Sequence, residues 1–285
     1  MILVRSVPAL RDAVRDARAR GDRIGLVPTM GAFHDGHLAL MRRARAQCGF
    51  VVVSLFVNPT QFNELADLDR YPRDEARDLT LAGTTGVDVV FAPPVEEVYP
   101  IGFETVVDVA VLSEPLEGVV RGPKHFRGVA TVVSKLLNMA QPDDVFFGQK
   151  DAQQALIIRR LVRDLDLPVR VEICPTVREA DGLAMSSRNA LLDSESRHRA
   201  SALSRALFAV EAVIAGGETS TTRALDAGHA VLAEERIVPE YFTIVSAESL
   251  VPLQTITGDM LIPIAARFGS VRLIDNVLVS NTGGA

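Results

Sequence analysis

The stretch IGLVPTMGAFHDGH, residues 24–37, decides the fold because it joins a buried strand to the start of a helix. Its apolar beginning predicts a strand over residues 24–27 that is buried on both faces, and a helix is predicted over residues 38–47. The turn between them carries two glycines together with His34 and His37. Glycine lets the backbone approach a ligand, and the N–H groups at a helix start favour an anion. The turn therefore predicts a phosphate-binding loop with a histidine donor.

Strand and helix continue to alternate after this stretch. Further strands are predicted over residues 50–57, 87–92, 144–147 and 169–173, and further helices over residues 74–82, 129–139 and 152–165. This alternation predicts an α/β fold, a Rossmann-like doubly wound parallel sheet with its ligand crevice at the carboxyl ends of the strands. His34, Asn58 and Lys150 each follow such an end. We therefore expect these three residues to face one crevice.

The pattern changes after residue 176 and predicts a smaller C-terminal α+β domain. Helices are predicted over residues 194–215 and 221–235, strands over residues 241–245, 261–267 and 270–274, and a frayed tail over residues 280–285. We expect a nucleotide- and substrate-binding domain at residues 1–176 and a lid domain at residues 177–285. The loop Met185-Ser186-Ser187-Arg188-Asn189 opens the second domain, and its hydroxyls and guanidinium suit a phosphate.

Composition narrows the classes of function. Thirty Lys and Arg against 36 Asp and Glu give a net charge of −6, which disfavours non-specific attraction to nucleic acid. Cys48 and Cys174 lack metal-ligand spacing, and two reduced, buried thiols fit a reducing compartment. No apolar run approaches membrane-spanning length. We therefore expect a cytoplasmic protein that binds neither nucleic acid nor membranes.

The pair His34 and His37 has three interpretations. Two imidazoles three residues apart can share a metal, but no carboxylate or thiol stands at ligand spacing. They can also be ordinary surface histidines. Phosphate handling is favoured, although the pattern fits several kinds of nucleotidyl-transferring enzyme. We expect no metal to be held by protein side chains.

Asn58 and Gln61 follow the predicted strand over residues 50–57. Their amides offer directional donors and acceptors without charge, which suits a polar organic substrate. The alternative, that they satisfy the backbone of a turn, is equally good for this segment alone.

Lys150 and Asp151 stand where a predicted strand gives way to a helix. They can contact a phosphate and a ribose, or they can be a solvated lysine and a helix cap. Gln153 and Gln154 open the following helix, and we expect one of them to point back into the crevice.

Taken together, these segments resemble the pantothenate synthetase family, whose superfamily also includes nucleotidyltransferases and class I aminoacyl-tRNA synthetases. The segments that carry the resemblance are Pro28-Thr29-Met30-Gly31, His34-Asp35-Gly36-His37, Phe56-Val57-Asn58-Pro59-Thr60-Gln61-Phe62, Tyr71-Pro72-Arg73, His125-Phe126-Arg127-Gly128-Val129, Phe147-Gly148-Gln149-Lys150-Asp151 and Asp181-Gly182-Leu183-Ala184-Met185-Ser186-Ser187-Arg188-Asn189. Each is weak alone, but the ordered set is highly specific and runs along nearly the whole chain.

The resemblance implies ATP-dependent condensation of (R)-pantoate with beta-alanine, giving pantothenate, AMP and pyrophosphate through an enzyme-bound pantoyl adenylate. It also implies Mg²⁺ carried by the ATP phosphates, and a homodimer. The chemistry agrees with the residues, because a carboxylate acylates poorly until it is adenylated. In-line attack on the α-phosphorus gains from positioning and from charge neutralisation, which the polar groups can supply.

The resemblance also implies residue roles. The implied catalytic residues are His34, His37, Lys150 and Arg188, with His37 as the candidate proton donor. The implied ATP-binding residues are Met30, His34, His37, Gly148, Lys150, Asp151, Val177, Met185, Ser186, Ser187 and Arg188, with Asp151 on the ribose and the backbone near Gly148, Val177 and Met185 on the adenine. The implied pantoate and beta-alanine ligands are Asn58, Gln61 and Gln154.

Two other functions stay open at this point. A nucleotidyltransferase that moves AMP to a phosphorylated acceptor needs a basic acceptor pocket, whereas Asn58 and Gln61 are uncharged. A non-enzymatic nucleotide sensor would bind ATP without releasing pyrophosphate when pantoate is added.

Overall fold

Six parallel strands form the sheet of one compact unit in the computed structural model, which describes residues 1–63 and 65–280, apart from the side chains of residues 65–67. The strands are β1 (Ile2–Val4), β2 (Ile24–Thr29), β3 (Phe50–Leu55), β4 (Val89–Phe91), β5 (Asp144–Gly148) and β6 (Arg170–Cys174). Their order is β1-β4-β3-β2-β5-β6, so the direction of winding reverses between β2 and β5. The predicted doubly wound parallel sheet is confirmed, and its switch point lies at the carboxyl ends of these two strands.

Helices cover both faces of this sheet. They are α1 (Val7–Ala19), α2 (Asp35–Gln47), α3 (Leu65–Arg70), α4 (Glu75–Gly83), α5 (Val95–Val98), α6 (Ala110–Ser113), α7 (Glu117–Arg121), α8 (Pro123–Ala140) and α9 (Ala152–Asp164). Successive side chains of a strand point to opposite faces, so each central strand serves two cores. Leu26 and Val52 lie in a core with α1, α8 and α9, whereas Val27 and Val53 lie in a core with α2 and α4.

Several boundaries in this unit differ from the predicted ones. The strand predicted over residues 50–57 ends at Leu55, because Asn58 caps the short 3-10 helix Pro59–Gln61. The helix predicted over residues 129–139 begins at Pro123, since proline is tolerated in the first turn of a helix. β1 and α1 were not predicted from the sequence, and β1 has only three residues.

A second compact unit contains a four-stranded antiparallel sheet and three α-helices in the described part of the chain. Its elements are α10 (Ser194–Ala200), α11 (Ala202–Ala215), α12 (Thr221–Glu234), β7 (Pro239–Phe242), β8 (Val245–Ser246), β9 (Asp259–Phe268) and β10 (Val271–Ser280). This unit comprises Lys150–Ala152 and Thr176–Ala285, whereas Met1–Gln149 and Gln153–Pro175 form the first unit. The grouping of Lys150–Ala152 with the second unit was not expected.

The second unit also corrects several predicted elements. The helix predicted over residues 194–215 is two helices that meet at Ser201, and the strand predicted over residues 241–245 is two short strands. β9 and β10 are longer than predicted and form a regular hairpin. Beyond Ser280, the tail expected to fray lies outside the described residues. Within the described ranges, no helix has the length and apolar character needed to cross a membrane.

Candidate active site

The loop between β2 and α2 carries the two histidines. His34 is the N-cap of α2, and its Nδ1 accepts a hydrogen bond from the Gly36 N–H at 3.1 Å. The Nδ1 atom of His37 accepts from the His34 N–H at 3.3 Å, and the two ring centroids lie 4.2 Å apart. Since each Nδ1 is an acceptor, the proton of each neutral imidazole is on Nε2. Both rings are therefore Nε2–H donors at the positive end of a helix.

Asp78 of α4 fixes the backbone of this loop. Its Oδ2 accepts from the Ala32 N–H and its Oδ1 from the Phe33 N–H, each at 2.8 Å. Gly31 and Ala32 both have positive φ, 88° and 53°, so the loop needs such an anchor. Sequence reasoning missed Asp78. The available signal was a carboxylate four residues before Ala82 on the buried face of a predicted helix.

Gln61 lies beside the loop that follows β2. Its Nε2 is 3.0 Å from the Sδ of Met30, and its Oε1 accepts from the Asn58 Nδ2 at 3.1 Å. The turns after β2 and β3 therefore meet at Met30 and Gln61. The Gln61 amide is half-buried and can accept and donate hydrogen bonds.

Asn58 is buried, and its side chain is saturated by contacts within the protein. Its Nδ2 donates to the Gly128 carbonyl at 3.1 Å as well as to Gln61, and its Oδ1 accepts from the Tyr99 hydroxyl at 2.8 Å and the Thr60 hydroxyl at 2.9 Å. An amide has only two N–H donors, and both are used. The geometry therefore does not support the expected direct contact of Asn58 with a substrate. It holds Gln61 in place instead.

A glycine on α8 allows the turn after β3 to pack closely. A Cβ on Gly128 would lie 2.6 Å from the carbonyl oxygen of Thr60 and 2.8 Å from the backbone N of Gln61. On the same helix, the His125 Nδ1 is 2.9 Å from the Gln61 carbonyl oxygen. The motif HFRGV, residues 125–129, thus positions Gln61 through its backbone.

Lys150 lies in the short 3-10 helix Gln149–Asp151, which follows β5. Its side chain is only 17 % exposed, and its Nζ is 3.8 Å from the Asp151 Oδ1. The interpretation of Lys150 as a solvated surface lysine is therefore wrong. Asp151 ends the 3-10 helix, and its side chain is half exposed.

Of the two glutamines that open α9, Gln153 has a structural role. It is 5 % exposed, donates to the carbonyls of Leu112 and Pro115 at 2.8 Å each, and accepts from the Glu117 N–H at 3.0 Å. Gln154 is half-buried, and it is the one of the pair that remains a candidate for the crevice.

The predicted phosphate loop of the second unit begins at the end of a narrow hairpin. The Met185 N–H donates to the Val177 carbonyl at 2.9 Å, so these two backbone groups are paired with each other. The Ser186 side chain accepts from the Arg188 N–H at 3.2 Å and caps the 3-10 helix Ser187–Leu191. The two serines are half-buried and Arg188 is exposed.

Glu179 anchors this loop and was not predicted. It accepts from the Asn189 Nδ2 at 2.6 Å and from the Arg197 Nη2 at 2.6 Å. The loop is therefore fixed at both of its ends by hydrogen bonds. Nothing in the local pattern distinguishes Glu179 from an exposed acidic residue.

The described residues contain no group of three or more His, Cys, Asp or Glu side chains that could hold a metal. The two cysteines are free and buried. Burial raises the pKa of Cys48 to about 12 and that of Cys174 to about 11. Both are therefore protonated thiols, which are poor metal ligands and poor nucleophiles.

Known proteins resemble this chain over almost its full length. A pantothenate synthetase from Cereibacter sphaeroides is 52 % identical over 277 residues, which are 97 % of this chain and 99 % of that protein. One from Pelotomaculum thermopropionicum is 50 % identical over 283 residues, 98 % of this chain and 99 % of that protein.

Solved structures agree with the sequence relatives. A pantothenate synthetase from Thermus thermophilus superimposes with a TM-score of 0.90 at 48 % identity, covering 97 % of this chain and 99 % of that one. A pantoate-beta-alanine ligase from Francisella tularensis, solved in complex with beta-gamma ATP and beta-alanine, has a TM-score of 0.78 at 32 % identity, covering 98 % of this chain and 97 % of that one.

The family model described as pantoate-beta-alanine ligase matches residues 2–278. That match includes the capped histidine loop, the Gln61 turn, Lys150 and the serine-arginine loop. The chain belongs to the pantoate-beta-alanine ligase family.

Proposed function

We propose that the residues described above divide the work of a two-step ligation. The chain is an ATP-dependent ligase that condenses (R)-pantoate with beta-alanine to give pantothenate, AMP and pyrophosphate. A pantoate carboxylate oxygen attacks the α-phosphorus of ATP, and pyrophosphate leaves. The amine of beta-alanine then attacks the acyl carbon of pantoyl adenylate, AMP leaves, and the amine loses a proton. The observation that carries the assignment is the capped histidine pair, whose loop contacts Gln61 through Met30.

His34 and His37 bind the phosphates in this proposal. Their Nε2–H groups donate to phosphoryl oxygens, and the start of α2 adds the partial positive charge of a helix end. Gly31 lets the backbone approach the nucleotide closely. His37 is the candidate donor of a hydrogen bond or a proton to the phosphoryl oxygen on which negative charge builds up in the transition state.

Lys150, Ser186, Ser187 and Arg188 supply the second set of phosphate donors. Lys150 is a point charge and Arg188 a planar fork, and together they neutralise the charge that moves onto the leaving pyrophosphate. We also propose that residues 177–285 act as the lid. Asp151 binds the ribose in this proposal. The backbone of Gly148, Val177 and Met185 lies near the adenine. The Val177 carbonyl already accepts one hydrogen bond, and its second lone pair remains for this purpose.

The acid-binding pocket is formed by Gln61 and Gln154. Their amides can read the hydroxyl and carboxylate oxygens of pantoate without carrying a charge. A phosphorylated acceptor would need cations at these positions, so the uncharged pair disfavours a nucleotidyltransferase.

Mg²⁺ reaches the site on the ATP phosphates in this proposal. Magnesium prefers oxygen ligands, whereas the phosphate-handling side chains are imidazoles, hydroxyls and cations. This donor set fits an ion held by the nucleotide and not by a protein cage. When bound, Mg²⁺ neutralises phosphate charge.

We propose that the protein is a homodimer and that it is located in the cytoplasm. Ile101, Val106 and Val111 lie in one stretch of the chain and are 103 %, 61 % and 73 % exposed, which suits burial against a second copy. The free, buried thiols of Cys48 and Cys174 suit a reducing compartment.

Gln61→Ala is expected to raise the KM for pantoate by about tenfold or more and to change the KM for ATP little. The reason is that the Gln61 amide forms hydrogen bonds with pantoate in this proposal and none with ATP. Steady-state kinetics with each substrate varied in turn measure both constants. Equal loss for both ligands would show that Gln61 does not read the acid.

Gly128→Ala is expected to raise the KM for pantoate by about tenfold, because the new methyl group pushes Thr60 and Gln61 out of place. The matched control is Gly83→Ala, whose Cβ would have only the Met1 Cε as a neighbour, at 4.0 Å. Normal pantoate binding by Gly128→Ala would mean that this close approach does not set the Gln61 position.

Isotope transfer tests the reaction itself. With ¹⁸O in the carboxylate of pantoate, one labelled oxygen is expected in the phosphate of AMP, since that oxygen bridges the acyl carbon and phosphorus in the adenylate. Mass spectrometry of AMP after one turnover measures this. Label found only in orthophosphate, with no AMP formed, would point to an acyl phosphate in place of an adenylate.

A further inference from the structure

We infer that Asp275 and Asn276, adjacent residues of β10, are positioning residues that hold Lys150 and the loop of residues 186–188 in one fixed arrangement. The inference rests on the proposed function, because it concerns two groups of phosphate donors. Asp275 and Asn276 are both buried, and neither contacts a substrate in the proposed function. Both lie in the second compact unit together with the segments that they hold.

Asn276 anchors the backbone of Lys150. Its Nδ2 donates to the Lys150 carbonyl oxygen at 3.0 Å, across 126 positions of sequence, and Asn276 is 3 % exposed. Lys150–Ala152 groups with the second unit, although Gln149 and Gln153 on either side group with the first. The hydrogen bond from the buried Asn276 side chain therefore fixes the backbone position of Lys150, from which the lysine side chain extends.

Asp275 anchors the hairpin that leads to the serine-arginine loop. Its carboxylate is buried and accepts from the Arg178 Nη1 at 2.6 Å and Nη2 at 3.1 Å. The same Nη1 donates to the Gly182 carbonyl at 3.0 Å, and Arg178 pairs with Ala184 across the hairpin. The guanidinium carbon also lies 5.0 Å from the centroid of the Phe208 ring. A bidentate, stacked arginine has one preferred orientation, so the hairpin is held at a defined position.

The same carboxylate acts on Lys150 through its charge. Burial raises the pKa of Asp275, while the hydrogen bonds from Arg178 and the positive charge of Lys150 oppose that rise. The positive charges of Arg178 and Lys150 therefore both favour the ionised form of this buried carboxylate. An anion in that place limits where the two positive charges can settle.

The consequence for catalysis is geometric. Lys150 and the loop of residues 186–188 must meet the same phosphate chain, and a misplacement of about 1 Å can cost a hundredfold in rate. Asp275 and Asn276 are neighbours in β10 and hold both segments. The distance between Lys150 and the loop of residues 186–188 is therefore set within the second unit. Loosening either anchor slows adenylate formation without removing a phosphate contact.

The decisive variant is Asn276→Leu, which keeps the side-chain volume and removes the donor. The expected result is a loss of about tenfold in the single-turnover rate of pyrophosphate release, with an unchanged KM for pantoate. In the double variant Asn276→Leu/Lys150→Ala, the rate is expected to equal that of Lys150→Ala alone, because the anchor acts through the lysine. A purely structural role would add a second loss.

The matched control is Thr221→Val in the same unit. Thr221 is also buried, and its hydroxyl donates to the Gln254 carbonyl at 3.0 Å, away from both phosphate segments. It is expected to lower the melting temperature and leave the adenylation rate unchanged. If Asn276→Leu does not fold, Asn276→Ala takes its place.

The second anchor is tested by Arg178→Lys, which keeps the charge and loses the bidentate contact. A loss of about tenfold is expected, and it is expected to be smaller in the Arg188→Ala background, where one of the loop's phosphate donors is already absent. Full activity in either anchor variant, or additive losses, would overturn the inference and leave the proposed function intact. A normal rate for Lys150→Ala would overturn the lysine assignment and this inference together.

Discussion

Lys150→Ala is expected to slow pantoyl-adenylate formation by about a hundredfold or more, because one preorganised charge at a transition state typically contributes a few kcal/mol. The Lys150 side chain is largely buried, and the charge therefore acts in a setting where water screens it weakly. The Asp151 carboxylate is 3.8 Å away, too far for a strong ion pair, and the buried Asp275 carboxylate keeps its two hydrogen bonds from Arg178, so removal of the ammonium is expected to change stability little. Rapid-quench measurement of pyrophosphate release and thermal unfolding give the two readouts.

The control for charge is Lys124→Ala, which removes an exposed lysine at the start of α8. It changes the net charge equally and is expected to leave the rate of adenylate formation unchanged. Near-normal turnover by Lys150→Ala would remove Lys150 from the site.

The second large effect concerns His37, and the structure allows its two ring nitrogens to be tested separately. His37→Asn places an amide oxygen near the position of Nδ1, so it keeps the acceptor for the His34 N–H and loses the Nε2–H. We expect it to slow adenylate formation by about a hundredfold with an unchanged melting temperature. His37→Gln carries an N–H nearer the Nε2 position and is expected to recover part of the rate.

His37→Ala removes both functions. It is expected to be as slow as His37→Asn and to lose about 1 kcal/mol of stability as well, the usual contribution of a helix cap. Equal rates for the Asn and Gln variants and the wild type would show that the Nε2–H plays no part. Stoichiometric zinc in the purified wild-type protein, together with a large loss of stability in His37→Asn, would favour a metal site instead.

The parallel sheet could be predicted because its signals are local. Strands such as β2 and β3 are buried on both faces and therefore appear as short apolar runs between turn residues. The histidine turn is equally local, since glycines, a capping residue and a helix start are neighbours in sequence. The same holds for the polar turn that contains Gln61.

The anchors of the site could not be predicted because they come from distant parts of the chain. Asp78 acts on a loop 46 residues earlier, and Asn276 acts on Lys150 from 126 residues away. Asp78 lies in a helix and Asn276 in a strand, and neither has a local sequence signal that indicates its partner. Only the tertiary contacts show which segment each residue anchors. The contacts of Asn58 have the same origin, since Gln61 and Gly128 accept from its Nδ2 and Tyr99 donates to its Oδ1.

Pyrophosphate release from ATP, Mg²⁺ and pantoate without beta-alanine tests the central claim most directly. The account predicts a burst close to one pyrophosphate per active site, retention of pantoyl adenylate on the protein, and release of AMP and pantothenate only after beta-alanine is added. A nucleotide sensor would bind ATP and release no pyrophosphate. Binding of ATP and pantoate with no burst, or pyrophosphate release that begins only when beta-alanine is present, would contradict the account.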